Sequence, residues 1–455
     1  MSKEKNNSSD RKKPKVKVIL KIKGWIDGRY VESILFEGRP AFLVRRMDSS
    51  KISVEYLFFQ GNKVFRPLEK NECGYMPYEF TREEIEYLNS MVITLGEIIQ
   101  DVFTNVKKYV AAHIRDQVLI AGDIILTYCQ EWIDTVHFPF FVGETESGKT
   151  TVLFFNAAVG YRCLVSTSMS HANIYNFLGT DEEGVGTICE DEAQEIGFDK
   201  EKMKIYKGAY KRGSRVPRVI TTSRNKEQVY YYSFGCKWFA GERAPSDKAF
   251  RERAVIVHML GGTPQQSLKR ATEEEKKQLG NLRNKMLFWK MQNIEKGFEK
   301  IDSGLTNRDQ EMWEDFLSLF HGTDIEAEAK ETANYYLRQR SDTISESLES
   351  AIFRILKPEF DKNLELDWDL IWYKATHGDE LPGVLDERTH KTFYPDEFDI
   401  RLTMNVLADI VRYKFKTTKK IRYEIVDGKR KKITSYVIDK ETVDILSKKY
   451  HTSDL

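Results

Sequence analysis

The chain has 455 residues, 41% of them hydrophobic, which is enough for two to four domains, each with its own buried core. Its 71 Lys and Arg stand against 70 Asp and Glu, so nothing global points to nucleic acid. No apolar run is long enough to cross a membrane, and the polar start MSKEKNNSSDRKKPK has no apolar signal region, which together place the chain in the cytoplasm.

In chain order, residues 1–15 read as a disordered basic tail, and 16–80 as a small β domain. Its stretches VKVILKIKG, YVESILFEG, AFLVRRM, KISVEYLFFQG and KVFRPLE are alternating or β-branched, with Gly or Asp/Ser punctuation. At Thr81 the period changes. TREE is a capping box, and helical spacing then continues to about Asp134, giving a helical region over 81–137. FPFFVG is a short apolar strand that ends on a glycine, and KTTVLFFNAAVG after the loop suits a helix. Four further apolar runs follow, YRCLVST, GVGTICED, CKWFAG and AVIVHML, so 138–262 predicts an α/β fold with five parallel strands covered on both faces. Between the third and fourth runs, RVITT and VYYYSF flank the polar turn SRNKEQ and predict a β-hairpin over about 216–235, with Arg224 and Lys226 at its tip. Residues 263–343 are helical and charged, a lid behind the core. In 344–455 the order helix, helix, helix, hairpin is that of a winged helix, with Lys429, Arg430, Lys431 and Lys432 at or beside the wing tip.

The chemistry concentrates in GETESGKTT, residues 143–151. Gly143, Gly148, Lys149 and Thr150 fit G-x-x-x-x-G-K-[ST], with Glu144, Thr145, Glu146 and Ser147 inside the loop and Thr151 just after it. Glycines let backbone N–H groups close around phosphate oxygens, the lysine reaches the β and γ phosphates, and the Thr150 hydroxyl binds Mg²⁺ at a helix N-terminus. Downstream, TICEDEAQE supplies an acid at the end of a buried strand and a second acid beside it. Asp191 is read as the carboxylate on the metal and Glu192 as the base that polarises water; a slip of one residue would give the metal to the neighbouring Glu190. Arg251 or Arg253, before the fifth strand, either stays within its own subunit or projects across an interface to a neighbour's γ-phosphate. Gly241, Glu242 and Arg243 end the fourth strand at a sensor-like position.

Charge is local rather than global. Residues 412–432 carry ten Lys or Arg against two acids, and YKGAYKRGSRVPR over 206–218 is a second basic cluster. Cys73, Cys129, Cys163, Cys189 and Cys236 show no paired spacing, so they read as reduced packing residues rather than a disulfide framework or a zinc site.

Taken in order, ILTYCQEWIDTVHFPFFVGETESGKTT, GTICEDEAQE and FGCKWFAGERAPSDKAFRERAVIVHML resemble the helicase half of replication proteins of plasmids, viruses and integrated elements. These are AAA+ ATPases near superfamily 3 and the minichromosome maintenance helicases, and the resemblance covers roughly 125–340. It implies an AAA+ P-loop core that hydrolyses ATP with Mg²⁺ as a homo-oligomeric ring, usually a hexamer, moving on DNA. It also implies Arg253 as the interface arginine and a hairpin whose basic residues grip DNA phosphates in the central channel. Glu242 stands where relatives commonly carry Asn. A regulator that assembles on duplex DNA without unwinding it is the alternative; a P-loop kinase for a small molecule would need neither a trans arginine nor the winged helix. No paired acids for two-metal polymerase chemistry occur in the β region, whose segment RKKPKVKVILKIK either binds nucleic acid or braces the ring.

Overall fold

The computed structural model describes residues 16–49, 51–69, 77–167, 169–221, 226–245, 247–345, 347–377, 383–385, 391–395, 401–426 and 429–450. The expected tail over 1–15, Cys73 and Arg224 at the hairpin tip lie outside these residues. The chain divides into two compact units, Met1–Asn334 and Tyr335–Leu455.

In the first unit, five apolar runs form a five-stranded sheet, parallel throughout, in an α/β arrangement. The order across the sheet is an edge strand Cys163–Ser166, an acid strand Thr187–Glu190, an inserted strand Lys237–Gly241, a loop strand Phe138–Val142 and an outer strand Ala254–His258. Every residue of the loop, inserted and acid strands is buried, as continuous apolar runs in a sheet covered on both faces should be. On one face, Asn156 of helix Lys149–Val159 donates to Cys189 Sγ at 3.4 Å, and Phe141 packs on Trp238. On the other, Phe138, Phe140 and Phe239 meet Phe250, and Tyr206 of helix Lys200–Gly208 lies edge-on to Phe239 at 5.1 Å. The four described cysteines, Cys129, Cys163, Cys189 and Cys236, are free and buried.

The β region makes two sheets within this same unit: a meander of Lys23–Ile26, Arg29–Phe36, Arg39–Arg46 and Ile52–Glu55, and a three-stranded sheet of Lys17–Leu20, Lys63–Arg66 and Phe58–Gln60. VKVILKIKG is thus two strands in different sheets rather than one. The helices Arg82–Asn89, Leu95–Tyr109 and Ile114–Tyr128 follow. Thr81 caps the first through Glu84 N–H, and the fully reciprocal capping box sits one helix later, at Thr94 and Glu97.

A buried charge cluster fastens these layers. Glu32 accepts Tyr161 Oη at 2.8 Å, Lys290 Nζ at 2.8 Å and Arg162 at 3.2 Å. Glu131 accepts Tyr30 Oη at 2.7 Å and pairs with Lys290 at 2.9 Å and with Lys23. Burial alone would raise the Glu131 carboxyl, yet Lys23 and Lys290 beside it hold it at about 2. The cluster draws on the meander, the turn after Tyr128, the start of the edge strand and helix Glu273–Asn293.

The second unit runs helix Leu348–Lys362, strand Glu365–Asp367, helix Trp368–His377, three short strands, helix Met404–Asp409 continuing as a π-helical turn Ile410–Lys414, hairpin Thr418–Val426 with Lys429–Val437, and helix Lys440–Lys449. Its core gathers Ile352, Phe353, Leu356, Ile371, Val411 and Phe415. Strand Glu365–Asp367 pairs with the hairpin, and its acids answer hairpin cations: Lys420 to Glu365 at 3.2 Å and Arg422 to Asp367 at 3.2 Å.

Candidate nucleotide-binding site

Because the sheet is parallel, the loop after Val142, the residues after Glu190 and those after Gly241 emerge at one edge, where a crevice can form. The loop's glycines are each required by local geometry. A Cβ on Gly143 would stand 2.5 Å from Met259 O and 2.6 Å from Ser147 Oγ. Gly148 has φ 93° and is the N-cap of helix Lys149–Val159 with no side-chain cap, so the first N–H groups of that helix are left for a ligand. Glu146 has φ 65°, and Glu144, Thr145 and Glu146 are exposed while Ser147 is buried. Ser147 Oγ is buried without a hydrogen-bond partner.

Lys149 curls back over this loop, its Nζ donating to Gly143 O at 2.8 Å and Glu144 O at 2.7 Å. Thr150 Oγ1 donates to Asp191 Oδ2 at 2.8 Å. Asp191 is 8% exposed, and its other carboxylate oxygen accepts Glu192 N–H at 3.0 Å. Asp191, not the neighbouring Glu190, is thus the acid brought to Thr150. Glu190, opposite Phe239 in the register, points to the other face of the sheet, where it pairs with Lys202 and accepts Tyr206 Oη at 2.7 Å. Burial raises the Glu190 carboxyl, against the pull of Lys202. That is how an acid occupies an aliphatic's place in the strand. Lys202 and Tyr206 stand four apart on the next helix, a spacing legible in KEKMKIY.

Glu192 is exposed and left-handed, with φ 54°. Its Oε2 accepts Gln194 Nε2 at 2.6 Å, while Gln194 Oε1 accepts Glu242 N–H at 3.2 Å. Gln194 is thus a bridge between the second acid and the end of the inserted strand, and sequence reading passed over it. The signal for it is Gly241, where a Cβ would lie 2.4 Å from Gln194 Oε1. Glu242 meets this bridge through its backbone, and both Glu242 and Arg243 are exposed.

The arginines lie elsewhere. Arg253 precedes Ala254, which pairs with Phe138 at the start of the loop strand, so roughly 13 Å of strand separates it from the phosphate loop. Its guanidinium stacks on Tyr210 at 4.6 Å and donates to Ala249 O. Arg251 is exposed at the same end. The structure therefore does not bring Arg253 to the phosphate loop of its own chain.

The hairpin forms from Arg215–Thr221 and Lys226–Tyr232, with Lys226 exposed. In the second unit, Arg430 stacks on Tyr423 at 4.3 Å, Lys431 lies 3.9 Å from Asp369, Lys432 is exposed, and Lys429 opens the return strand.

Among the described residues no group of three or more His, Cys, Asp or Glu is placed to hold a metal unaided, and no helix is long and apolar enough to cross a membrane. No family model and no curated protein matches the chain. Among solved structures, three of the apo C-terminal region of NrS-1 are similar at 12% identity, covering 90% of this chain and 96% of theirs with TM-scores of 0.32 and 0.33. A likeness of that size fixes neither fold class nor activity.

Proposed function

We propose that the chain is an AAA+ P-loop ATPase that works as a homo-oligomeric ring, a hexamer by the resemblance, and acts as a DNA helicase or translocase in replication of a plasmid, virus or integrated element. The observation that carries the ATPase reading is the contact of Thr150 with Asp191 beside Lys149 and above a helix whose N-terminus has no side-chain cap. Two hard oxygen donors at that place suit Mg²⁺, which would supply charge neutralisation between the β and γ phosphates. Ser147 Oγ and the Gly148 turn fit a phosphate in the loop, since both leave polar groups for it.

Lys149 exchanges its two carbonyl oxygens for phosphate oxygens, a swap of one oxygen set for another of greater charge. Glu192 takes the proton of the attacking water as the water oxygen bonds to the γ-phosphorus and the β–γ bridge breaks, leaving ADP and phosphate. Arg253 and Arg251 stand at the far end of the strands, so either serves an adjacent protomer's site. The basic hairpin bearing Lys226 favours a ring that grips DNA phosphates over a protein that only coats duplex. The helix, helix, helix, hairpin order of the second unit supports a winged helix whose Lys429, Arg430, Lys431 and Lys432 lie toward DNA. ATP turnover and forked-duplex unwinding by the purified protein test this reading. Turnover without strand displacement would assign the regulator instead, and Arg253→Ala that hydrolyses normally in the assembly would remove the interface role.

A further inference from the structure

The hairpin Arg215–Thr221 and Lys226–Tyr232 has two unlike faces. Cross-strand partners share a face in an antiparallel pair, so Val216 with Tyr231 and Arg218 with Val229 make one, and Arg215 with Tyr232, Pro217 with Tyr230 and Val219 with Gln228 make the other. The first is braced. Tyr231 packs on Tyr175 of helix His171–Leu178 at 5.3 Å, and Arg218 donates to Tyr175 Oη at 2.7 Å and to Glu201 at 3.1 Å. The second is bare: Val219 is 64% and Tyr230 50% exposed. Arg215 lies over the Tyr232 ring at 4.7 Å and donates to its hydroxyl at 2.9 Å.

An isolated two-stranded ribbon has little stability of its own, so the braced face explains how the hairpin stands, and leaves the other face without a structural duty. That face carries Arg215 and Lys226, while Glu227 belongs to the braced one. Between residues 204 and 232 the chain has eight Lys or Arg and one acid, so the surroundings suit a polyanion. A polyanion that offers only phosphates has no use for an exposed tyrosine ring such as that of Tyr230. One whose bases are unpaired does, because every base has a face that stacks on an aromatic side chain. Duplex DNA hides those faces.

We infer that the bare face, through Tyr230, Tyr232 and the Arg215 that orients it, is a stacking platform for unpaired bases of a single-stranded nucleic acid. The platform is a strip roughly 20 Å long from Arg215 to Lys226. It adds base contact along the stem to the phosphate contact expected of the tip, and it rests on the reading of the chain as a motor on DNA.

The test is fluorescence anisotropy of the full-length protein with labelled oligo(dT) and with an abasic deoxyribose-phosphate strand of the same length, at one salt concentration. The wild type should bind oligo(dT) at least about tenfold tighter than the abasic strand. Tyr230→Ala should weaken oligo(dT) binding roughly 5- to 100-fold and leave abasic binding unchanged, and Tyr230→Phe, which keeps the ring, should restore it. Tyr87→Ala, an exposed tyrosine far along the chain from the hairpin, should change neither. Equal affinity of the wild type for both strands, or a Tyr230→Phe loss as large as that of Tyr230→Ala, overturns the platform. ATP turnover of the same wild-type preparation separates the two ideas: turnover with no Tyr230 dependence sinks the platform alone, and Tyr230 dependence without turnover sinks the ATPase reading alone.

Discussion

The first unit holds two assemblies of charge that differ in what answers each charge. In the buried cluster Glu32 and Glu131 are met by Lys23, Arg162 and Lys290, cation against anion, with Lys290 and Glu32 fully enclosed. At the phosphate loop Lys149 is met by two carbonyl oxygens, Asp191 by a hydroxyl and an N–H, and Glu192 by an amide. Buried opposite charges have given up water and hold each other at high cost of separation. Charges resting on neutral dipoles at a half-open edge are free to change partners. The first arrangement locks layers together; the second lends its charges to a ligand.

The largest effect that would break this contrast is at Lys149. Lys149→Ala should weaken ATP binding by about 100-fold or more, read by calorimetry, because the charge-assisted contacts to phosphate are lost. Its melting temperature should stay within about 2 °C of the wild type, since only neutral partners are left behind. A collapse in stability would mean that the loop lysine is as structural as Lys290. Glu192→Gln separates binding from chemistry: nucleotide affinity should hold while turnover falls roughly 10²- to 10⁴-fold, the range for loss of a general base.

The buried assembly should answer in the opposite currency. Lys290→Met removes the cation shared by Glu32 and Glu131 and should cost about 3–5 kcal/mol, as breaking a buried pair does. In a unit of this size that is roughly 4–7 °C of melting temperature, with ATP affinity unchanged. Acid should act on the same cluster. Glu131 titrates near 2 when folded, below its unfolded value, so its contribution is complete above the unfolded value and is lost as pH falls through the folded one. Melting temperature should therefore drop between about pH 4.5 and pH 2, and Glu131→Gln should flatten that slope.

Much of the loop side of this contrast was legible in the sequence, because its residues must be contiguous: strand, glycines, lysine, threonine and helix occupy one stretch, and period and motif both read locally. The five core strands were found for the same reason, as each is a contiguous apolar run, three of them buried along their whole length. The buried cluster was not found. Lys23, Glu32, Glu131, Arg162 and Lys290 are isolated charges in five separate segments, and a lone Lys or Glu in an otherwise apolar stretch looks like a surface residue until the layers are assembled. The same limit hid the reason for Glu190, whose partners sit on the next helix. In the second unit the basic run was read from its own residues alone, and the acids Glu365 and Asp367 that meet Lys420 and Arg422 were not connected with it, because their strand joins the hairpin only in three dimensions.

The smallest effect sharpens the contrast at its most delicate point. Gln194 holds Glu192 by a neutral amide and is itself held by Glu242 N–H, so it is placed to position the second acid. Gln194→Ala should lower kcat about tenfold, the scale of one lost hydrogen bond to a charged group, with KM for ATP unchanged. Gly241→Ala should do the same from the other side, since its new methyl would stand 2.4 Å from where Gln194 Oε1 now lies and must displace it. If the bridge matters only as packing, the two variants would lower melting temperature together and leave kcat alone. If it aims the carboxylate, kcat falls in both while melting temperature holds, and combining the two changes adds little to either.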